Sequence, residues 1–280
     1  MTVLVTGSRG AVARTLAGLL RERGLAVRAA SSRPDGPDTV RCDLTDPSTF
    51  AAALKGVTSV FLYAEPSHAG AFTEEAARAG VEHIVLLSSS SVLAPDPEDN
   101  PLAKSHLDAE RALDASPIRS TSLRPGSFAG NALAWSWSLR SGRPISLPFP
   151  GSHSDPIHEA DVAEAALAVL TDPGLGGRPY TLTGPESLTF AEQIDILSRV
   201  TGRPIPFRQV TREEWKRETA GHIPASYADS LLDWWQSGDG RPVELTRAVP
   251  ELTGHPARTF ATWAQGHVGD FRADHPSPGR

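Results

Sequence analysis

A strand-like run, Val3-Leu4-Val5, leads into Thr6-Gly7-Ser8-Arg9-Gly10-Ala11-Val12-Ala13 and then into an alanine-rich helical stretch. Strand, glycine turn and helix start in that order suit the binding of a dinucleotide. Gly7 permits the tight turn, Gly10 lets backbone N–H groups approach a pyrophosphate, and the helix N-terminus adds favourable partial charge. Ala13 holds the third position, where alanine is an accepted substitute for the close helix–strand contact. Gly7, Ser8, Arg9, Gly10, Ala11 and Val12 are therefore the expected phosphate-binding residues. At the end of the next strand the chain reads Ser31-Ser32-Arg33, with no carboxylate for a ribose hydroxyl. Arg33 and Ser32, with Arg9 from the turn, suit a 2′-phosphate, so NADP(H) is the preferred cofactor. Asp35 stands close enough to keep NAD(H) possible.

The elements that must hold these residues alternate. Short β-branched runs at residues 2–5, 26–30, 59–63, 83–88, 120–123 and 179–183 are separated by helical patterns at 14–23, 47–53, 70–79, 105–115 and 161–170. That alternation predicts βαβ units in a Rossmann-type doubly wound parallel sheet. From residue 131 the pattern changes. Tryptophans, a Pro/Gly-rich stretch and a helical run at 189–200 predict a smaller α-rich lobe. The expected division is 1–131 and 153–183 for the nucleotide domain, 132–152 and 184–270 for the lobe, and a mobile tail at 271–280.

Composition narrows the function classes. A formal net charge of -6 over 280 residues argues against a general nucleic-acid binder while allowing a local basic pocket. No apolar run reaches the roughly 18 residues of a membrane helix, and the N-terminus lacks a signal-peptide layout, so a cytoplasmic protein is expected. The single cysteine, Cys42, cannot form an internal disulfide. No metal-binding motif is evident. The expected partner is a small molecule, and the chain alone is compatible with a monomer or a homodimer.

Further segments carry a resemblance. With TGSRGAVA, the stretches Cys42-Asp43-Leu44, Val60-Phe61-Leu62-Tyr63, Val85-Leu86-Leu87-Ser88-Ser89, Leu123-Arg124-Pro125-Gly126 and Asp161-Val162-Ala163 resemble the NmrA-like atypical short-chain dehydrogenases/reductases, including NADPH-dependent quinone oxidoreductases. The likeness implies that Asp43 and Leu44 flank the adenine, that Tyr63, Ala64 and Glu65 pass near the cofactor, and that Pro125 to Phe128 line its nicotinamide end. Asp161 reads as a helix N-cap and His158 as structural.

The catalytic pair of that superfamily, Tyr-x-x-x-Lys on one helix face, has no match anywhere in the chain. Alignment on Glu110 puts Leu102 at the tyrosine and His106 at the lysine. Leucine cannot donate a proton, so reduction of an ordinary ketone to its strongly basic alkoxide lacks an acid. A quinone differs, because hydride addition gives a phenolate-like anion whose conjugate acid resembles tyrosine, pKa about 10, so quinone or activated-enone reduction survives as the expectation. His106 is a candidate to bind the nicotinamide ribose or assist the proton step, with a structural helix histidine as the alternative, and Ser88 is a second catalytic and cofactor-contacting candidate. Lys104 and Ser89 are weaker ones. Glu65, His68, Tyr63, Trp135 and Trp137 are candidates for a pocket around a planar acceptor. The chain is thus expected to be an NADPH-dependent oxidoreductase. A non-catalytic NADP(H) sensor and a repurposed isomerase, cyclase or dehydratase are the alternatives.

Overall fold

The structure is a computed structural model that describes residues 1–34 and 36–271; Asp35, and the expected tail beyond Phe271, lie outside the described residues. The chain forms two compact units. The first comprises Met1–Gly126, Glu159–Leu182 and Thr246–Pro256. Its centre is a seven-stranded sheet of β1 (Thr2–Val5), β2 (Ala26–Ser31), β3 (Thr39–Arg41), β4 (Ser59–Tyr63), β5 (His83–Leu87), β6 (Arg119–Pro125) and β9 (Tyr180–Leu182). The spatial order is β3-β2-β1-β4-β5-β6-β9 and every pairing is parallel. Helices cover both faces, which is why β4 and β5 read as apolar runs rather than as alternating strands. Leu4, Val60, Leu62, Ile84 and Leu86 face α2 (Phe50–Leu54), α3 (Ala69–Arg78) and α4 (Pro101–Asp114). The opposite pleat faces α1 (Ala11–Glu22) and α6 (Glu159–Thr171), which pack against each other.

Chain order reverses at β1, between β2 on one side and β4 on the other. In such sheets the loops after these strands diverge and open a crevice at the carboxyl edge. The glycine turn after β1 and the Ala64-Glu65 loop after β4 are those two loops.

Several boundaries differ from the sequence expectation: residues 127–131 and 153–158, expected in the nucleotide domain, fall in the second unit. α4 starts at Pro101, four residues before the predicted start, because the Asn100 side chain accepts from the Leu102 and Ala103 amides and Pro101 needs no amide partner in the first turn. Residues 246–256, expected in the smaller lobe, return to the first unit: α10 (Ala248–Thr253) packs on α6 and β9.

The second unit comprises Ser127–His158, Thr183–Leu245 and the chain from Ala257. It holds α5 (Leu133–Arg140), α7 (Phe190–Thr201), α8 (Arg212–Thr219), α9 (Ala225–Ser237) and α11 (Phe260–Gly266). Two small sheets join them, β7 (Ile145–Leu147) with β11 (Phe207–Gln209) and β8 (His153–Ser154) with β10 (Leu188–Thr189). Its core gathers Ile194, Leu197, Phe260, Trp263 and Phe271. Phe271, assigned by sequence to a mobile tail, is fully buried there, so the packed chain extends through it.

Candidate active site

The glycine turn is shaped for close approach. Gly7 has a φ of +60°, the Gly10 amide donates to the Gly7 carbonyl at 2.8 Å, and the Ser8 amide donates to Ala30 at 3.0 Å. Gly10 caps α1 with extended backbone and without any side-chain cap, and the first turn carries no acid. That helix end therefore presents amides and positive partial charge to an anion. Tyr63, fixed by its amide on Thr6 Oγ1 at 3.0 Å, lays its ring against the turn. A Cβ on Gly7 would sit 2.7 Å from the Tyr63 ring, and one on Gly10 would sit 2.5 Å from the Tyr63 hydroxyl. Burial pushes the Tyr63 phenol up from its ordinary value, against the Ala13 amide and the charge of Arg14, so it is neutral and presents a hydroxyl beside the start of α1. The first-turn amides, of which that of Ala13 meets the Tyr63 hydroxyl, the absence of acid and the glycine cradle fit the pyrophosphate of a dinucleotide.

At the end of β2 the Ser31 hydroxyl is spent internally: it donates to the Arg33 carbonyl and accepts from the Arg33 amide, both at 3.1 Å. Ser32, Arg33 and Arg9 are exposed, and neither arginine has an ion-pair partner among the described residues. Asp43 makes a turn: its Oδ1 accepts from the Thr45 hydroxyl and amide at 2.7 and 3.1 Å. The Thr45 hydrogen bonds hold its carboxyl below the ordinary range, with smaller help from Arg41 and Arg33. Leu44 and Ala64 pack on the core beneath. Glu65 Oε1 accepts from the Ser67 amide and hydroxyl at 3.0 and 2.6 Å, tightening the loop after β4.

α4 is locked to the sheet by a buried polar cluster that the sequence did not reveal. Glu110 accepts from both ends of the Arg124 guanidinium, the Nε contact being 2.9 Å, and from the Ser88 hydroxyl. Ser88, a catalytic and cofactor-contacting candidate from sequence, is buried and donates its hydroxyl to Glu110. Lys104 pairs with Asp108 on the surface at 2.6 Å. His106 stands one turn before Glu110 on the same helix face. Its Nδ1 is buried with no hydrogen-bond partner, and so is the Ser91 hydroxyl, which lies in the 3-10 turn packed on α4. Burial lowers the His106 pKa more than the Glu110 charge raises it, so the imidazole is neutral at pH 7. Leu102, at the tyrosine position, lies in the first turn of α4.

Other candidates fall elsewhere. Pro125 ends β6 beside Leu182, whereas Phe128 belongs to the second unit and bridges to Ile157. Trp135 packs edge-on against Phe190 at the core of the second unit, so it is structural. Trp137 is exposed, with Arg143 over its ring at 4.4 Å. His68 is an exposed residue preceding α3. Asp161 is inside the first turn of α6 and fully buried, two residues past the helix start rather than at its cap. His158, in the second unit, has a partner of its own.

The NAD(P)H-binding family matches residues 7–173. The chain is 34% identical over 284 residues to the (4-alkanoyl-5-oxo-2,5-dihydrofuran-3-yl)methyl phosphate reductase of Streptomyces griseus, covering 96% of this chain and 99% of that one. It is 30% identical over 286 residues to the NAD(P)H azoreductase of Xenophilus azovorans, covering 97% and 99%. Its fold matches that of the NADPH-dependent quinone oxidoreductase of Escherichia coli with a TM-score of 0.78 at 23% identity, over 94% of this chain and 98% of that one. The chain belongs to the NAD(P)H-binding family, and it is an oxidoreductase. Among the described residues no helix is long and apolar enough to cross a membrane.

The cradle carries a prediction. Gly10→Ala is expected to weaken NADPH binding at least tenfold, about 1.4 kcal/mol, in a fluorescence titration, because its Cβ meets the Tyr63 hydroxyl. Gly10→Ala with Tyr63→Ala should recover part of that loss. Equal weakening in both would mean that Tyr63 does not shape the cradle.

Proposed function

We propose that the protein is an NADPH-dependent reductase of planar conjugated acceptors, activated enones or quinones, working without a tyrosine acid. The observation that carries this reading is Leu102 in place of that acid, on a helix whose neutral His106 turns an unpartnered Nδ1 inward. The Streptomyces relative, named for an acyl-substituted unsaturated lactone, supports the enone class. The reduced nicotinamide, when bound, supplies a hydride to the β-carbon of such a substrate. The resulting enolate is spread over two carbonyls and is a weak base, so a proton from water reaching the α-carbon completes the two-electron reduction.

The chain's own groups have separate tasks. The amides of the glycine turn and of α1 hold the pyrophosphate, with Tyr63 as its side wall. Arg33, Ser32 and Arg9 take the 2′-phosphate, and Asp43 and Leu44 border the adenine. Pro125, at the end of β6, belongs at the nicotinamide end. Neutral His106 hydrogen-bonds a ribose hydroxyl and relays the proton rather than donating it as imidazolium. Glu110 and Arg124 fix the helix that carries it.

Purified protein mixed with NADPH and a panel of acyl-butenolides and quinones, followed by loss of nicotinamide absorbance, tests the reading. Saturable consumption is expected, with kcat reduced on the order of a hundredfold in His106→Ala while NADPH still binds. Tight binding with no turnover on any acceptor would instead establish a sensor. Arg33→Ala should lose about tenfold or more of the preference for NADPH over NADH, the size of one charge-assisted phosphate contact. An unchanged preference would remove Arg33 from the cofactor site.

A further inference from the structure

Away from the glycine turn, the first unit brings together three side chains that no sequence motif connects. Asp161 and Glu164 are three residues apart on α6 and so share a face. α10 packs against α6 and ends at Gly254, whose φ of +79° reverses the chain and delivers His255 back to that face. One donor atom from each of Asp161, Glu164 and His255 lies within 4.8 Å of the other two. His255 Nε2 is 2.6 Å from Glu164 Oε2.

The imidazole tautomer adds an independent indication. His255 Nδ1 lies 2.9 Å from the Pro256 carbonyl, which can only accept, so Nδ1 carries a proton. Nε2 then meets the Glu164 carboxylate through a second proton or through a cation. An outer N–H on a backbone carbonyl with the inner nitrogen turned to acidic ligands is the arrangement found around metal-binding histidines. One imidazole nitrogen with two carboxylate oxygens suits a first-row divalent transition metal, whereas Mg2+ and Ca2+ favour oxygen alone. A cavity of about 590 Å³, lined by Glu164 and His255 together with Glu22, Arg23 and Asp172, gives an entry path and room for water ligands.

We propose that Asp161, Glu164 and His255 form a binding site for a divalent ion of the Zn2+ class, which clamps the returning segment Thr246–Pro256 onto α6. To span tetrahedral Zn2+, Nε2 and Oε2 must part from 2.6 Å to about 3.3 Å, a side-chain movement at the cavity wall. Each of the three residues makes a further interaction, so an ion would join groups already engaged.

The test is calorimetric titration of the chelator-treated full-length protein with Zn2+. One saturable site is expected, weakened at least tenfold in Glu164→Gln and in His255→Gln, with Mg2+ unable to compete. NADPH binding reports whether each variant is folded, and it does not depend on this site. The unaltered protein supplies a second readout, a Co2+ visible absorption band displaced by Zn2+. No saturable Zn2+ binding to the unaltered protein, or equal binding by both folded variants, overturns the proposal.

Discussion

Glu110→Ala is expected to destabilise the first unit by about 3–5 kcal/mol, the cost of stranding one member of a buried ion pair. The Glu110 and Arg124 side chains retain 5% and 18% of their exposure, so removal of the carboxylate leaves the guanidinium and the Ser88 hydroxyl in a site that water reaches poorly. In a thermal melt this corresponds to a loss of roughly 10 °C in the transition of the first unit. The pair itself need not be strongly stabilising, because taking two charges out of water offsets most of their attraction. Glu110→Leu with Arg124→Leu is therefore expected to be markedly more stable than Glu110→Ala alone. A single variant within about 1 kcal/mol of the parent would show the cluster to be hydrated and α4 to be held by apolar packing instead. The functional consequence runs through His106, one turn earlier: Glu110→Gln should lower kcat more than it raises the KM for NADPH.

The contrast between what the sequence revealed and what it hid follows from the range of each interaction. Strand, glycine turn and helix start are local, so Gly7 and Gly10 were legible, as were the apolar runs of a sheet buried on both faces. The start of α4 was legible in principle from Asn100-Pro101 but was masked by the polar, proline-rich stretch before it. The bond from Ser88 to Glu110 was hidden because a strand-end hydroxyl looks alike whether it faces a substrate or a buried carboxylate 22 positions away. Tyr63 was expected near the cofactor, but its packing on both glycines is a tertiary fact. The meeting of Glu164 with His255, 91 positions apart, leaves no mark in either local sequence.

Asp155 should make the second unit lose stability as pH rises from about 4 to about 6. Its carboxyl is buried, and burial pushes its pKa from 3.8 up to about 6, despite the Ser127 amide donating to Oδ1 at 3.0 Å. Between those values the folded chain holds a proton that the unfolded chain has released, so stability falls across that window and levels off above it, by about 3 kcal/mol. His83 has the opposite sign. It is buried on Thr121 Oγ1 at 3.0 Å with its pKa lowered from 6.5 to about 4, so the unfolded state binds the extra proton and stability rises over nearly the same window. His83 belongs to the first unit and Asp155 to the second, so the two contributions oppose each other in the stability of the whole chain, and a single whole-chain transition of the parent will not separate them. The difference in Tm between Asp155→Asn and the parent isolates the Asp155 contribution, because His83 is common to both chains. That difference should move in favour of the variant as pH climbs from 4 to 7, whatever fixed cost the unpaired amide adds. A difference that is constant with pH would mean that Asp155 ionises normally and that water reaches the carboxylate beside Ser127.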